Sequence, residues 1–252
     1  DKFVSVAGTD VRETPNAIKA LIQDAKDKTI SIVVEREEEE LTFDVEVRNV
    51  PSSVKYELKE NSIGYINIDI FSETLTNQVS NALKDLEEKG MKKLIIDLRD
   101  NSGGYLDSAE TTASLFLEKG KLIYSLEDKN KKEDYYDETE EHRTYPIVIL
   151  INEKSASSAE ILAAALKDSY GAVLVGEKSY GKGKVQQTIK LEDGSMAKYT
   201  SAKWLRPTGE CIDNKGLTPD YAASLTYETN ENGEQTVIDS QLNKALEVIR
   251  AM

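Results

Sequence analysis

Two short stretches of this chain carry residue types that could do covalent chemistry. The first is Asn152-Glu153-Lys154-Ser155-Ala156-Ser157-Ser158-Ala159-Glu160, which follows an apolar run at 147–151 and precedes an Ala-rich run at 161–166. That pattern predicts strand, turn and helix, with Ser157 where the helix begins. A serine at such a junction holds its hydroxyl above a sheet, beside first-turn amides that have no partner inside the helix. Amides so placed can stabilise a developing oxyanion, so the arrangement suits acyl transfer. Ser157-x-x-Glu160 also spells a capping box, which many helices carry for stability alone.

The second stretch follows a predicted strand at 172–175 and reads Gly176-Glu177-Lys178-Ser179-Tyr180-Gly181-Lys182-Gly183-Lys184, before alternating residues at 185–191. It sets a glycine-flanked lysine on a tight turn between strands. It also matches the G-x-x-x-x-G-K part of a phosphate-binding loop. Gly183 stands where that loop needs a metal-binding Ser or Thr, and a strand rather than a helix follows, which argues against nucleotide binding. His142, the single histidine, sits beside Glu140 and Glu141 in an acidic excursion, and a Ser/His/Asp triad would need that excursion to fold over Ser157. A lysine base is the more economical reading. A lysine in water has a pKa near 10.4 and is protonated at pH 7, so a lysine base needs apolar walls that strip its water. Burial of Lys182 is therefore expected.

The elements that must hold these residues alternate in type. Residues 63–68 read as a strand, Leu75, Val79, Leu83 and Leu86 as one face of a helix, 94–98 as a buried strand, 122–126 and 147–151 as further strands, and Leu242, Leu246 and Ile249 as a closing helix. This alternation predicts an α/β domain. The charged segment 128–143 has too few apolar residues for a core and reads as a solvated hairpin or loop. Ahead of the domain come a strand at the start, a helix opened by Pro15, and strands at 29–35 and 41–48, an order any small βαββ unit could have. A linker opens at Val50-Pro51.

Composition removes several function classes. The 252 residues carry 46 acids against 32 bases, a formal net charge of -14, which repels phosphate backbones and anionic lipids. Nucleic acid is not an expected partner. Cys211 is the only cysteine, so there is neither an internal disulfide nor a thiolate cluster for zinc. The longest apolar runs, 147–151 and 161–166, fall far short of the roughly 20 residues that cross a bilayer.

Ser157 and Lys182, taken with Gln186, resemble the carboxy-terminal processing peptidases, also called tail-specific proteases. The resemblance covers nearly the whole chain. It includes a PDZ-like opening from Asp1 to Gly8, Gly64-Tyr65-Ile66, the signature Asp97-Leu98-Arg99-Asp100-Asn101-Ser102-Gly103-Gly104, residues 152–160 and 176–186, and Gly216-Leu217-Thr218-Pro219-Asp220. It implies Ser157 as nucleophile, Lys182 as general base and Gln186 as the residue orienting the lysine. Candidate oxyanion donors are the amide of Ser158 and one from Gly103 or Gly104, since glycine lets backbone approach a substrate closely. A turn needing positive φ is an equal account of those glycines. Ser158-Ala159 stands where the family often has Ala-Ser.

The fold so implied is a stacked β-β-α core, crotonase- or ClpP-like, with residues 1–48 as a partial PDZ-like module, 49–62 as linker and 63–252 as peptidase core with the C-terminal helix. The first part of a PDZ domain is not in the sequence, and residues upstream are expected. The resemblance implies no cofactor and no metal. Its substrate would be a protein or peptide with an unstructured, apolar carboxyl terminus, met outside the cytoplasm, in the cell envelope or after secretion. It allows a homodimer and regulation through the PDZ domain. Two other readings are a catalytically silent scaffold that binds protein tails and, more distantly, a crotonase-like acyl-CoA enzyme.

Overall fold

The computed structural model describes residues 1–25, 28–47, 52–191, 194–229 and 235–252. Arg48, Val50 and Pro51, expected at a strand end and linker, lie outside them. The chain divides into two units, 1–52 and 53–252.

In the first unit, β1 (Lys2–Val6), β2 (Thr9–Asp10), β3 (Thr29–Arg36) and β4 (Glu39–Glu46) form an antiparallel sheet in the order β2-β1-β3-β4, with α1 (Ala17–Asp24). Val6, Val11, Ala25 and Ile30 make its buried centre, against which Ile18, Leu21 and Ile22 pack.

The second unit is built on a six-stranded sheet. It uses β5 (Val54–Lys59), β6 (Ile63–Ile68), β7 (Lys93–Asp97), β10 (Ile147–Ile151), β11 (Val173–Gly176) and β14 (Tyr221–Ala222), in the order β14-β11-β10-β7-β6-β5. All neighbours are parallel except the β5–β6 pair at one edge. The segment expected as linker thus supplies an edge strand. All five residues of β10 are buried because it lies between two parallel neighbours with both faces covered.

Alternate residues along the strands serve opposite faces. Leu94, Ile96, Ile149 and Leu174 join the core beneath α2 (Leu75–Glu88), α3 (Leu106–Ala113) and α4 (Ser158–Ala165). Ile95, Val148, Leu150 and Val175 join Ala245, Val248 and Ile249 of α5 (Ser240–Ala251) on the other face. In α2 the buried Leu75, Val79, Ala82, Leu83 and Leu86 follow helical spacing, whereas every residue of α4 is buried, which explains why 161–165 are apolar all round. A turn of π-helix at Leu166–Tyr170 ends α4.

A further four-stranded sheet has the order β12-β13-β8-β9, from β8 (Leu122–Glu127), β9 (Lys132–Tyr136), β12 (Lys184–Lys190) and β13 (Met196–Leu205). The charged excursion is therefore in part a hairpin, held by Tyr135 stacked on buried Tyr124 with ring centroids 4.6 Å apart. β15 (Thr226–Thr229) and β16 (Gln235–Ile238) form a small hairpin before α5. No described helix is long and apolar enough to cross a membrane.

Candidate active site

Three loops leave the carboxyl ends of neighbouring parallel strands, where open α/β sheets gather their ligands. The loop after β7 carries the Asp97–Gly104 signature, that after β10 carries Ser157, and that after β11 carries Lys182.

Ser157 is the N-cap of α4 and adopts φ 59°, ψ −120°, a conformation sparsely populated by residues other than glycine. The loop around it is fixed from the signature side. Ala156 N–H donates to Asn101 O at 2.9 Å and Ser155 Oγ to Leu98 O at 2.8 Å, while Asp100 N–H donates to Asn152 Oδ1 at 2.9 Å. Gly103, at φ +97°, presses on the nucleophile's turn so closely that a Cβ there would lie 2.8 Å from Ser157 Cβ and 3.0 Å from Ser158 N. Gly104 has its own constraint, since a Cβ would meet Phe71 O at 2.1 Å.

The amides differ in what they are free to do. Gly103 N–H already donates to Asn101 Oδ1 at 2.8 Å. Among the described residues, the N–H groups of Gly104 and Ser158 have no acceptor.

Ser157, Ser158, Gly104, Lys182 and Gln186 line one cleft of about 430 Å3, whose apolar lining includes Leu106, Ile161, Val185 and Trp204. Gly103 lies behind Ser157. A β-bulge between Val185 and Gln186 interrupts the β12–β13 ladder at the third of the predicted side chains, a device that re-aims a residue beside a site. Lys182 is exposed, contrary to the expected burial, and among the described residues no hydrogen bond reaches its Nζ from Ser157 Oγ or any other group. The apolar walls stand around the cleft without closing over the amine. His142 is exposed and is not among the residues lining this cleft. A larger cavity, about 690 Å3, lies beside β9 and holds none of the predicted residues.

One residue is more central than its sequence reading as half of a capping box. The Glu160 carboxylate is fully buried and accepts Ser157 N–H at 3.0 Å and Lys182 N–H at 2.9 Å on one oxygen, and Gly181 N–H at 2.7 Å with the Ser179 hydroxyl on the other. Ser179 Oγ in turn accepts Leu217 N–H at 2.7 Å. The lone signal in the sequence is a carboxylate in the first turn of a helix whose remaining residues, 161–165, are all apolar. Trp204 Nε1–H donates to Lys182 O at 2.8 Å, and Asp213 accepts Gly183 N–H at 3.3 Å and pairs with Lys184 at 3.2 Å. Both come from segments that sequence reasoning left without a role.

The signature's charged residues serve architecture. Arg99 reaches Asp97 and the N-cap of α5, Asp239, at 2.6 and 2.7 Å, and Tyr65 donates to Asp97 at 2.7 Å. Burial alone would lower the Arg99 guanidinium, but the two carboxylates outweigh it and hold the pKa above its ordinary value. Burial likewise acts to raise Asp239, and Arg99 with the Leu242 amide overcomes it, leaving that carboxyl below the usual range. Among the described residues no cluster of His, Cys, Asp and Glu could hold a metal.

The profile of peptidase family S41 matches residues 62–223. The chain belongs to that family. The carboxy-terminal processing protease CtpA of Bacillus subtilis (strain 168) is 38% identical over 98% of this chain and 56% of its own length. A probable CtpA-like serine protease of Staphylococcus aureus (strain COL) is 35% identical over 87% of this chain and 45% of its own length. The chain thus spans about half the length of these curated relatives. Among solved structures, a photosystem II D1 C-terminal processing protease superposes with a TM-score of 0.64 at 25% identity, covering 88% of this chain and 62% of that one. Mature CPAF complexed with lactacystin shares the fold at 13% identity and a TM-score of 0.54, covering 99% of this chain and 76% of that one.

Proposed function

We propose that this chain is a serine endopeptidase that cleaves proteins or peptides near their carboxyl terminus, with Ser157 as nucleophile, Lys182 as general base and Gln186 orienting the lysine. The observation that carries the reading is one cleft lined by Ser157, Lys182 and Gln186, with amides at Ser158 and Gly104 that have no acceptor among the described residues. A neutral Lys182 amine takes the Ser157 proton as Oγ bonds to the scissile carbonyl carbon, and the two amides hold the oxyanion. Gly104 suits this better than Gly103, whose N–H is already engaged. The tetrahedral centre collapses, the C–N bond breaks and the lysine returns its proton to the leaving amine. Water then hydrolyses the acyl-enzyme by the same route.

An exposed Lys182 must lose its water for this to proceed, so substrate is expected to close the cleft over it. We further read the core as stacked β-β-α units of the crotonase and ClpP kind, and residues 1–48 as part of a PDZ domain that regulates the site. We also read the substrate as an unstructured, apolar-tipped protein met outside the cytoplasm, in keeping with the family likeness, which allows a homodimer.

The missing Ser157–Lys182 hydrogen bond favours a second reading, a catalytically silent protein that binds tails in the same cleft. One assay separates the two: cleavage of an unfolded, apolar-tailed protein from pH 6 to 10 by wild type, Ser157→Ala and Lys182→Ala. The peptidase reading expects turnover in wild type and a loss of about 10²–10⁴-fold or more in Lys182→Ala without unfolding. Wild-type activity in that variant would overturn the assignment of the base, and binding without turnover in wild type would establish the silent reading.

A further inference from the structure

The cleft's charge opposes that of the chain. Of the residues lining it, Lys182, Lys184 and Lys198 are cationic and none is acidic, on a chain of net charge -14. The three lysines are not equivalent. Lys182 belongs to the chemistry proposed above, and Lys184 is tied to Asp213 at 3.2 Å. Lys198 is exposed and makes no ion pair among the described residues.

Its place along the cleft follows from the β-ladder. Lys198 on β13 lies directly opposite Thr188 on β12. Lys184, Gln186 and Thr188 all line the cleft; Lys184 opens β12 two residues after Lys182, and Thr188 lies four residues farther on, at most roughly 13 Å at about 3.3 Å per residue because the bulge between Val185 and Gln186 shortens the path. β12 is also the outermost strand of its sheet, with an open edge able to accept an extended chain. The cleft therefore combines apolar lining residues with one cation, Lys198, that has neither an ion pair among the described residues nor a part in the proposed chemistry.

Resting on the peptidase reading, we propose that Lys198 is a specificity residue, pairing with a substrate carboxylate about four residues from the scissile bond. An Asp or Glu side chain and the substrate's own terminal carboxylate offer the same chemistry. An extended substrate advances by the same repeat as β12, so the spacing carries over from strand to substrate.

The test uses peptides with an apolar centre around the cleaved bond. A single Glu, Gln or Lys is moved from two to six residues on either side, each with a free or amidated terminus. Wild type is expected to favour Glu over Gln at one position near the fourth by about 2–5-fold in kcat/KM, the range of an exposed ion pair, and to lose this preference in high salt. Lys198→Gln is expected to abolish the Glu/Gln ratio, and Lys198→Glu to reverse it in favour of the Lys peptide. A preference present only with a free terminus identifies the terminal carboxylate as the group held, and one that survives amidation identifies the side chain. Binding of the same peptides to Ser157→Ala, read by fluorescence anisotropy, reports the preference without turnover. Equal affinity for Glu, Gln and Lys peptides at every position would overturn the role of Lys198. A charge preference in binding, with no cleavage by wild type, would instead refute the peptidase reading alone.

Discussion

At the scale of single residues, Glu160 decides whether Ser157 and Lys182 share one frame. A cap alone contributes about 1 kcal/mol. A buried carboxylate holding three amides and a hydroxyl is a different object, because removing its charge leaves several buried donors facing an amide that can accept on one atom only. Glu160→Gln is expected to cost about 1–3 kcal/mol in denaturant unfolding for each buried donor it leaves without an acceptor. Among molecules that remain folded, a shift of the lysine loop of order 1 Å should lower kcat/KM on the order of 10²-fold. A stability loss near 1 kcal/mol with normal turnover would reduce Glu160 to an ordinary cap.

At the scale of elements, the anchoring of α5 to the signature loop is electrostatic and responds to pH. Asp239 has a lowered pKa in the folded chain, so its contribution is fully present above the ordinary aspartate value of about 3.9 and is lost as pH falls through the lowered one. Asp239→Asn keeps a side-chain oxygen to cap Leu242 N–H but removes the charge that Arg99 holds. Stability curves of wild type and this variant are expected to converge in strong acid, to separate as pH rises toward about 4 and to keep a constant gap above it, and a gap that is the same at every pH would exclude the charge effect.

The same scale marks how far the sequence can be read. β10, Ser157 and α4 were legible because a five-residue apolar run and an apolar helix meet at one polar turn, and the lysine turn because two glycines bracket it. The partnership of β13 with β8 and the contacts of Trp204 and Asp213 with the lysine loop join residues far apart in the chain, and local periodicity carries no such information. Val54–Lys59 was hidden for another reason. It is an edge strand whose apolar Tyr56 and Leu58 are exposed, and although it alternates apolar and charged residues it directly follows Val50-Pro51-Ser52-Ser53, whose composition is that of a linker. The exposure of Lys182 was illegible because whether a cleft is open depends on the state of the whole molecule.

At that largest scale the two units differ in how well they are filled. Residues 1–52 bury a handful of apolar side chains, whereas 53–252 enclose a continuous core on both faces of the six-stranded sheet. Small units bury a smaller fraction of their surface and open more readily. Timed trypsin digestion followed by mass spectrometry is expected to cut within 1–52 first and to leave a persistent fragment of about 200 residues. Early loss of the C-terminal unit would contradict this. The backbone at Ser157 bears on the stability of the whole fold in a further way. A serine held at φ 59°, ψ −120° costs about 1–3 kcal/mol, which glycine would not incur. Ser157→Gly should therefore unfold at higher denaturant than Ser157→Ala, although both lack the hydroxyl. Descendants released from selection for turnover would then drift toward glycine at this position and gain stability as they lost catalysis.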